Sequence, residues 1–466
     1  MEPLRFGDIV AATGGGLVRG AELMVAGVSI DTRTLQPGEL YVAVRGKRFD
    51  GHQFVTAAIR AGAAGVVVDN DAALPATGCA VVVGNTTDAL GRIAALHRQR
   101  VSCRVVAITG SNGKTTTKEM LAAILATKYR TLRPHGSFNN DIGVPLTVLR
   151  LERDTEAAVF EIEMNELGGT ERLARICRPE VGVITNIGDT HLEFMSDRQG
   201  VAQEKAELLQ VLPRTGTAVL NADDDIVMAI GDRYAPSGRL TFGLDREADV
   251  FATDIRDAGL AGMEFRLQGE HVVRLPVPGR HNVANCLAAC AAAHALNMDF
   301  EAMLEAIAEF QPPPMRLRVL RLGSVTLVED CYNANPQSVR AALQVLRESA
   351  PVECRIAFLG DMLELGAASA AQHETLGREL ASVVNRLVLV GPMGKRTAAA
   401  ALDAGLSASS VRWFETSGQA RDALFDLVRL GDTILVKGSR AMAMELVSQE
   451  IAKHYGQETD RSGHVQ

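Results

Sequence analysis

Short apolar runs recur along this chain, each closed by a polar or glycine-containing turn and followed by apolar positions at helical spacing. "CRVVAIT", "AAVFEIEM", "VGVITNI" and "TAVLNAD" predict buried strands, and the helical stretches between them predict a parallel sheet wrapped by helices. Before them, "ELYVAV", "AAGVVV" and "CAVVVG" predict short strands mixed with helical pieces such as residues 53–61. Between Leu240 and Pro276 the pattern becomes short alternating strands, which predicts an antiparallel addition. "EFQPPPMR" (Glu309 to Arg316) then sets three prolines in a row, the composition of a hinge or linker. Beyond it "SVTLVED", "RIAFLGDM", "RLVLVG", "VRWFE" and "DTILVKGS" predict a third α/β unit. The reading is an α/β protein of three domains, residues 1–98, 99–312 and 313–456, with a polar tail at 457–466 expected to be disordered.

Composition narrows the class. With 466 residues, 47% of them hydrophobic and 22% charged, the chain can bury several cores. A net charge of −8 argues against a nucleic-acid partner. "MEPLRFGDIV" has no basic-then-apolar leader, and the longest apolar stretch, Cys286 to Met298, is Ala-rich, interrupted by His294 and predicts a buried helix. The seven cysteines, odd in number and without a C-x-x-C pair, fit reduced thiols in the cytoplasm.

The most telling turn is "VVAITGSNGKTTTKEML" (Val105 to Leu121). It predicts a buried strand over 105–108, a glycine-flanked turn and a helix over 118–128. A helix start leaves backbone N–H groups unpaired, and Gly110 and Gly113 let the backbone approach an anion closely. Ser111, Asn112 and Thr116 complete the loop, Lys114 can reach terminal phosphates, and the Thr115 hydroxyl suits Mg²⁺. Ile108 occupies the position of the usual first glycine, so an ordinary strand-to-helix turn with a surface lysine is the alternative. In "VFEIEMN", Glu161 and Glu163 share one strand face. At the carboxyl end of a strand beside the phosphate loop, such a pair would face nucleotide and metal, unless Glu163 is simply solvated past the strand. "ITNIGDTHLEF" brings Asp189, His191 and Glu193 to the same edge.

Taken in order, "TGSNGKTTT", Asn139–Asn140 with Gly143 and Pro145, "EIEMN", "TNIGDTHLEF", "EKAEL", "GRHNVANCLAA" and "DCYNANPQS" resemble the Mur ligases over nearly the whole chain. The shortened loop G-[ST]-N-G-K-T is that family's own form. The resemblance implies an N-terminal UDP-binding domain, a central phosphate-loop ATPase domain and a C-terminal Rossmann-like domain. "YNANPQS", "LGDMLELG" and "LVKGSRAMAME" further imply ATP-dependent joining of D-alanyl-D-alanine to UDP-N-acetylmuramoyl-tripeptide through an acyl phosphate, in peptidoglycan synthesis, by a monomer. The implied catalytic residues are Lys114, Glu161, His191 and Lys205. The implied metals are two Mg²⁺, one on Thr115 and Glu161, the other on His191 and a carbamylated Lys205. Asn282 is implied for adenine and Arg316 for ribose with Asp330 nearby; on their own they would read as a helix cap and an exposed linker charge. Ser29, Thr32, Arg33 and the Arg48–His52 loop, with Asp50 and His52, are implied for the uridine diphosphate. Asn139, Asn140, Asn333 and Asn335 are implied substrate contacts. Lys437, Ser439 and Arg440, just after a strand, are implied to meet the dipeptide carboxylate.

Two positions depart from the family pattern: Glu163 stands where it has glycine, and Gly169 where it has Glu. Other readings are a ligase adding the third peptide residue, a folylpolyglutamate-type or cyanophycin-type ligase, a GTP-dependent switch, and a non-catalytic nucleotide-binding scaffold. The UDP-type N-terminal region argues against the folylpolyglutamate and cyanophycin types, and no lysine follows an asparagine to make the N-K-x-D of a GTPase.

Overall fold

A computed structural model describes residues 1–461 apart from 20, 47, 48, 76, 77, 135, 137, 191 and 196. Among the described residues three larger sheets form, in chain order. The first runs Gly16–Arg19, Cys79–Val82, Gly65–Val68, Glu39–Val42, Gly27–Ser29 across its width. Its first pair is antiparallel and the rest parallel. The expected helix over 53–61 is a single 3₁₀ turn, Gly51–Phe54, followed by Val55–Arg60.

The central sheet is nine-stranded. Strand β1 (Arg104–Thr109) leads into helix α1 (Lys114–Ala126). Strand β2 (Ala157–Glu161), helix α2 (Gly169–Cys177), strand β3 (Val181–Ile184) and helix α3 (Arg198–Val211) follow. β1 lies between β2 and β3, parallel to both, with Glu161 beside Ile108 and Ile184 beside Thr109. The carboxyl ends of three parallel strands therefore meet at one edge, where ligands of open α/β sheets bind. Further out, Val250–Asp257, Met263–Leu267 and His271–Leu275 pair antiparallel and continue the same sheet, but Gly238–Gly243, at the start of the stretch expected to be antiparallel, is parallel to both its neighbours. Helix α4 (Arg280–Ala295), buried along most of its length, packs against α1, which its Ala-rich surface permits.

The third sheet has six strands. β4 (Val325–Asp330) and β5 (Thr433–Lys437) lie side by side, and helix α5 (Pro336–Ser349) follows β4. An edge strand, Arg318–Leu322, pairs antiparallel with β4; its pattern is too exposed and charged for the apolar-run criterion. The last helix, Glu445–Arg461, carries regular backbone past residue 457, where a disordered tail is expected.

Apolar packing crosses both expected domain boundaries. Leu90 and Ile93, from the helix Thr86–Arg98, share a buried cluster with Ala107, Phe160 and Leu173. A second cluster runs from Val106 and Leu121 through α4 to Leu343 and Val345 of α5. All seven cysteines are free thiols. Among the described residues no helix is long and apolar enough to cross a membrane.

Candidate active site

The phosphate loop is held open from behind by the segment after β3. Asn186 accepts from the Ser111 and Asn112 backbone N–H groups, at 2.9 Å each, through its carbonyl and its side-chain oxygen. Thr185 Oγ1 donates to the Asn112 carbonyl at 2.6 Å, and the Gly188 N–H donates to Ser111 Oγ at 2.7 Å. Two glycines are required here by space and by conformation. At Gly110 (φ +137°) a Cβ would lie 2.1 Å from Thr185 Oγ1, and at Gly113 (φ +83°) 2.1 Å from Asn285 Oδ1. Helix α1 begins at Lys114, four residues earlier than the apolar spacing suggests. Its unpaired first-turn N–H groups, with Thr115 and Thr116, therefore belong to the loop itself.

Lys114 is 6% exposed. Its ammonium donates to the Gly110 carbonyl at 2.7 Å and the Ser111 carbonyl at 3.3 Å, and pairs with Glu163 Oε1 at 2.8 Å. Asn139 Nδ2 donates to both Glu161 Oε1 (2.8 Å) and Glu163 Oε2 (2.9 Å). β2 ends at Glu161, so Glu163 lies just beyond the strand, yet the two carboxylates converge as the alternation predicts. Glu161 is 1% exposed; its Oε2 lacks a hydrogen-bond partner and lies 3.9 Å from the buried Lys118 ammonium. The buried, unbonded Glu161 oxygen and the Thr115 hydroxyl are both hard oxygen donors, the kind that suits Mg²⁺. Among the described residues no three His, Cys, Asp or Glu side chains cluster as a metal site. Asn140 is engaged locally, its Oδ1 accepting from the Ile142 and Gly143 N–H groups.

The third domain reaches onto this loop. Asn335 Nδ2 donates to Asn112 Oδ1 at 2.7 Å, and Asn112 Nδ2 to Gln337 Oε1 at 2.9 Å. Both partners sit at the capped start of α5, where Asn335 also accepts from the Ser338 N–H. Arg316 donates to Thr115 Oγ1 at 3.1 Å, with its guanidinium 4.0 Å from the centre of the Tyr332 ring. Asp330 accepts from the Leu317 N–H at 3.1 Å. Lys437 is the last residue of β5 rather than part of the loop after it. Its buried ammonium is held by Asp330 Oδ2 (2.6 Å) and the Asn333 carbonyl (3.0 Å), a different engagement from an exposed contact to a dipeptide carboxylate. Asn333 Oδ1 accepts from the Ala334 N–H. Ser439 Oγ accepts from the Leu363 N–H, and Arg440 is exposed and paired with Glu445. Asn282 is buried at the start of α4, donating to the Pro278 carbonyl and accepting from Asn285.

Lys205 lies on α3 and is 1% exposed. Its Nζ is 2.6 Å from Glu204 Oε2, an ionic contact without hydrogen-bond alignment, and Glu204 in turn accepts from the Thr170 hydroxyl at the start of α2. Glu207, one turn along α3 from Glu204, accepts from the Gly168 and Glu171 N–H groups at the same helix start. Carboxylates thus gather where the departure to Gly169 removes one. Asp189 pairs with Arg198. His191 lies outside the described residues.

In the first domain, Ser29 Oγ accepts from the Asp31 N–H and Arg33 forms a two-pronged pair with Asp31. That guanidinium holds the Asp31 carboxyl down at about 2. Thr32 is half-buried between them. His52 Nδ1 is 2.6 Å from Asp50 Oδ1, its Nε2 accepts from the Asp69 N–H, and Arg45 binds Asp69. Tyr41 lies within electrostatic reach of Asp31 and Asp50; burial first, then these two charges, push its hydroxyl up to about 12. Arg48 lies outside the described residues.

Thr185, Asn186, Asn285 and Gln337 are the site's unannounced members. Each sits inside or next to a motif, but only the folded chain sets it against the loop.

Three family models match the chain in order: Mur ligase family, catalytic domain (residues 24–105), Mur ligase middle domain (108–293), and Mur ligase, glutamate ligase domain (315–440). The chain is 38% identical over 454 residues to a UDP-N-acetylmuramoyl-tripeptide–D-alanyl-D-alanine ligase of Escherichia coli, covering 94% of this chain and 96% of that protein. A crystal structure of MurF from Acinetobacter baumannii superposes with a TM-score of 0.87 at 33% identity, covering 97% and 99% of the two chains. A MurF ligase from Thermotoga maritima in complex with ADP superposes at 0.82 with 26% identity, covering 93% and 98%.

Proposed function

This chain belongs to the Mur ligase family, and we infer from its site how it performs the reaction for which its relatives are named, the ATP-dependent joining of D-alanyl-D-alanine to UDP-N-acetylmuramoyl-tripeptide. The observation carrying this reading is the meeting of Lys114, the paired carboxylates Glu161 and Glu163, and the third domain's Arg316, Asn335 and Gln337 on one phosphate loop.

A carboxylate resists attack by an amine, so the tripeptide's terminal carboxylate first takes the γ-phosphoryl group of ATP, releasing ADP. The dipeptide amine then attacks the acyl carbon; the C–N bond forms, the C–O bond breaks, inorganic phosphate leaves and the amine loses a proton. The first step brings two anions together, so positive charge must be concentrated between them. The α1 start and Lys114 supply it from the loop side. Glu161 and the Thr115 hydroxyl would hold Mg²⁺, which neutralises phosphate oxygens when bound. A second Mg²⁺ on His191 and a carbamylated Lys205 belongs to the same reading. The Ser29–Arg33 and Asp50–His52 groups would take the uridine diphosphate, Asn282, Arg316 and Asp330 the nucleoside of ATP, and Asn139, Asn140, Asn333, Ser439 and Arg440 the peptide parts. Reduced, cytoplasmic thiols and a monomer remain part of the proposal.

Incubation with ATP, Mg²⁺, D-alanyl-D-alanine and each UDP-N-acetylmuramoyl-tripeptide, read by mass, should give the pentapeptide product. Phosphate release without a new amide product would sink the assignment.

A further inference from the structure

The family pattern has glycine where this chain has Glu163, and the structure gives that carboxylate a specific partner. An ammonium has three donors. Those of Lys114 are matched by the Gly110 carbonyl, the Ser111 carbonyl and Glu163 Oε1. Glu163 is fixed on its other oxygen by Asn139, whose amide also holds Glu161, so the carboxylate is aimed at the lysine rather than draped across it. Its backbone is fixed as well, the Glu163 N–H donating to the Asn139 carbonyl at 2.9 Å. Its side chain remains 28% exposed, so solvent and solutes reach the pair.

We propose that Glu163 is an internal counter-anion for the phosphate loop: it occupies the third donor of Lys114 when no nucleotide is bound, and an incoming phosphate group must displace it. The inference rests on reading the loop as the ATP site, and adds a residue that sets nucleotide affinity. Two consequences follow from charge alone. A phosphate oxygen gains the lysine only by giving Glu163 up to solvent or to another cation, so part of the binding free energy is lost in the exchange. The displaced carboxylate also stays beside the phosphates and repels them. Glutamine at 163 keeps an acceptor for Asn139 but removes the charge, which separates this role from a purely structural one.

The test is calorimetric titration of ADP, in chelator and without divalent cation, into the full-length wild type, Glu163→Gln and Glu163→Asp, with ligand-free melting to show that each is folded. Glu163→Gln should bind ADP about tenfold more tightly than wild type, the scale of one charge-assisted hydrogen bond. Glu163→Asp, which keeps the charge, should stay close to wild type. Equal or weaker ADP binding by a folded Glu163→Gln would overturn the proposal. Absence of ADP binding to all three proteins would overturn the phosphate-loop reading and this inference with it.

Discussion

Arg316 donates to Thr115 Oγ1 at 3.1 Å, joining the segment after the proline-rich linker to the phosphate loop across 201 residues of chain. The same guanidinium stacks on Tyr332, so it is held on two sides. Arg316→Ala should therefore weaken ADP binding about tenfold, the loss of one hydrogen bond to a charged group. Calorimetric titration reads this directly, and an unchanged affinity would detach Arg316 from the nucleotide.

Lys114→Ala should abolish measurable turnover while the fold survives. Removing one positioned donor from developing phosphate charge costs on the order of 10²–10³ in rate. Near-normal kcat in a protein with wild-type circular dichroism would remove Lys114 from the chemistry.

Lys205 tests the second metal. Lys205→Arg should be inactive, because a guanidinium stays protonated and cannot be carbamylated. Lys205→Ala should also lose activity, with partial recovery on adding acetate, which can fill the vacated oxygen-ligand position. Wild-type turnover by Lys205→Arg would make this lysine a structural partner of Glu204 and nothing more.

Residues 315–317 are pinned to the third domain, the Met315 N–H donating to Glu329 and the Leu317 N–H to Asp330, so bending is left to residues 311–314. Small-angle scattering should show a more compact particle with an ATP analogue and UDP-tripeptide than without ligand. An unchanged radius of gyration would count against this hinge.

His97 supplies a pH dependence. It is buried at the end of the helix Thr86–Arg98, with its Nε2 2.9 Å from the Leu151 carbonyl. Desolvation depresses its pKa below the ordinary histidine value, against the opposing hydrogen bond to the Leu151 carbonyl and a smaller pull from Glu2. The unfolded chain therefore binds the proton more readily than the folded one. The stabilising contribution is full above the unfolded value, about 6.5, and is lost as pH falls through it toward the depressed folded value. Thermal melts should show His97→Gln losing less stability than wild type between pH 7 and pH 5; parallel pH profiles would refute this.

By itself the sequence determined the succession of buried strands and helices along each unit, the position of the phosphate loop and the convergence of Glu161 with Glu163. Those features are local: period-two alternation sets which face a side chain takes, and a glycine-flanked turn before a helix is an anion site wherever it occurs. Only the tertiary structure decided what each charge meets. Alternation cannot say that Glu163 faces Lys114 rather than water, that Lys437 turns inward to Asp330, or that Asn285 stands where a side chain at Gly113 would have to go. The edge strand Arg318–Leu322 escaped the apolar pattern because none of its residues is fully buried and its two arginines are exposed on opposite faces. The boundary at residue 98 falls at the end of a helix whose apolar face is buried partly against the central unit. Periodicity marks that such a face will be covered; the partner that covers it comes from elsewhere in the chain, and only the packed fold brings the two together.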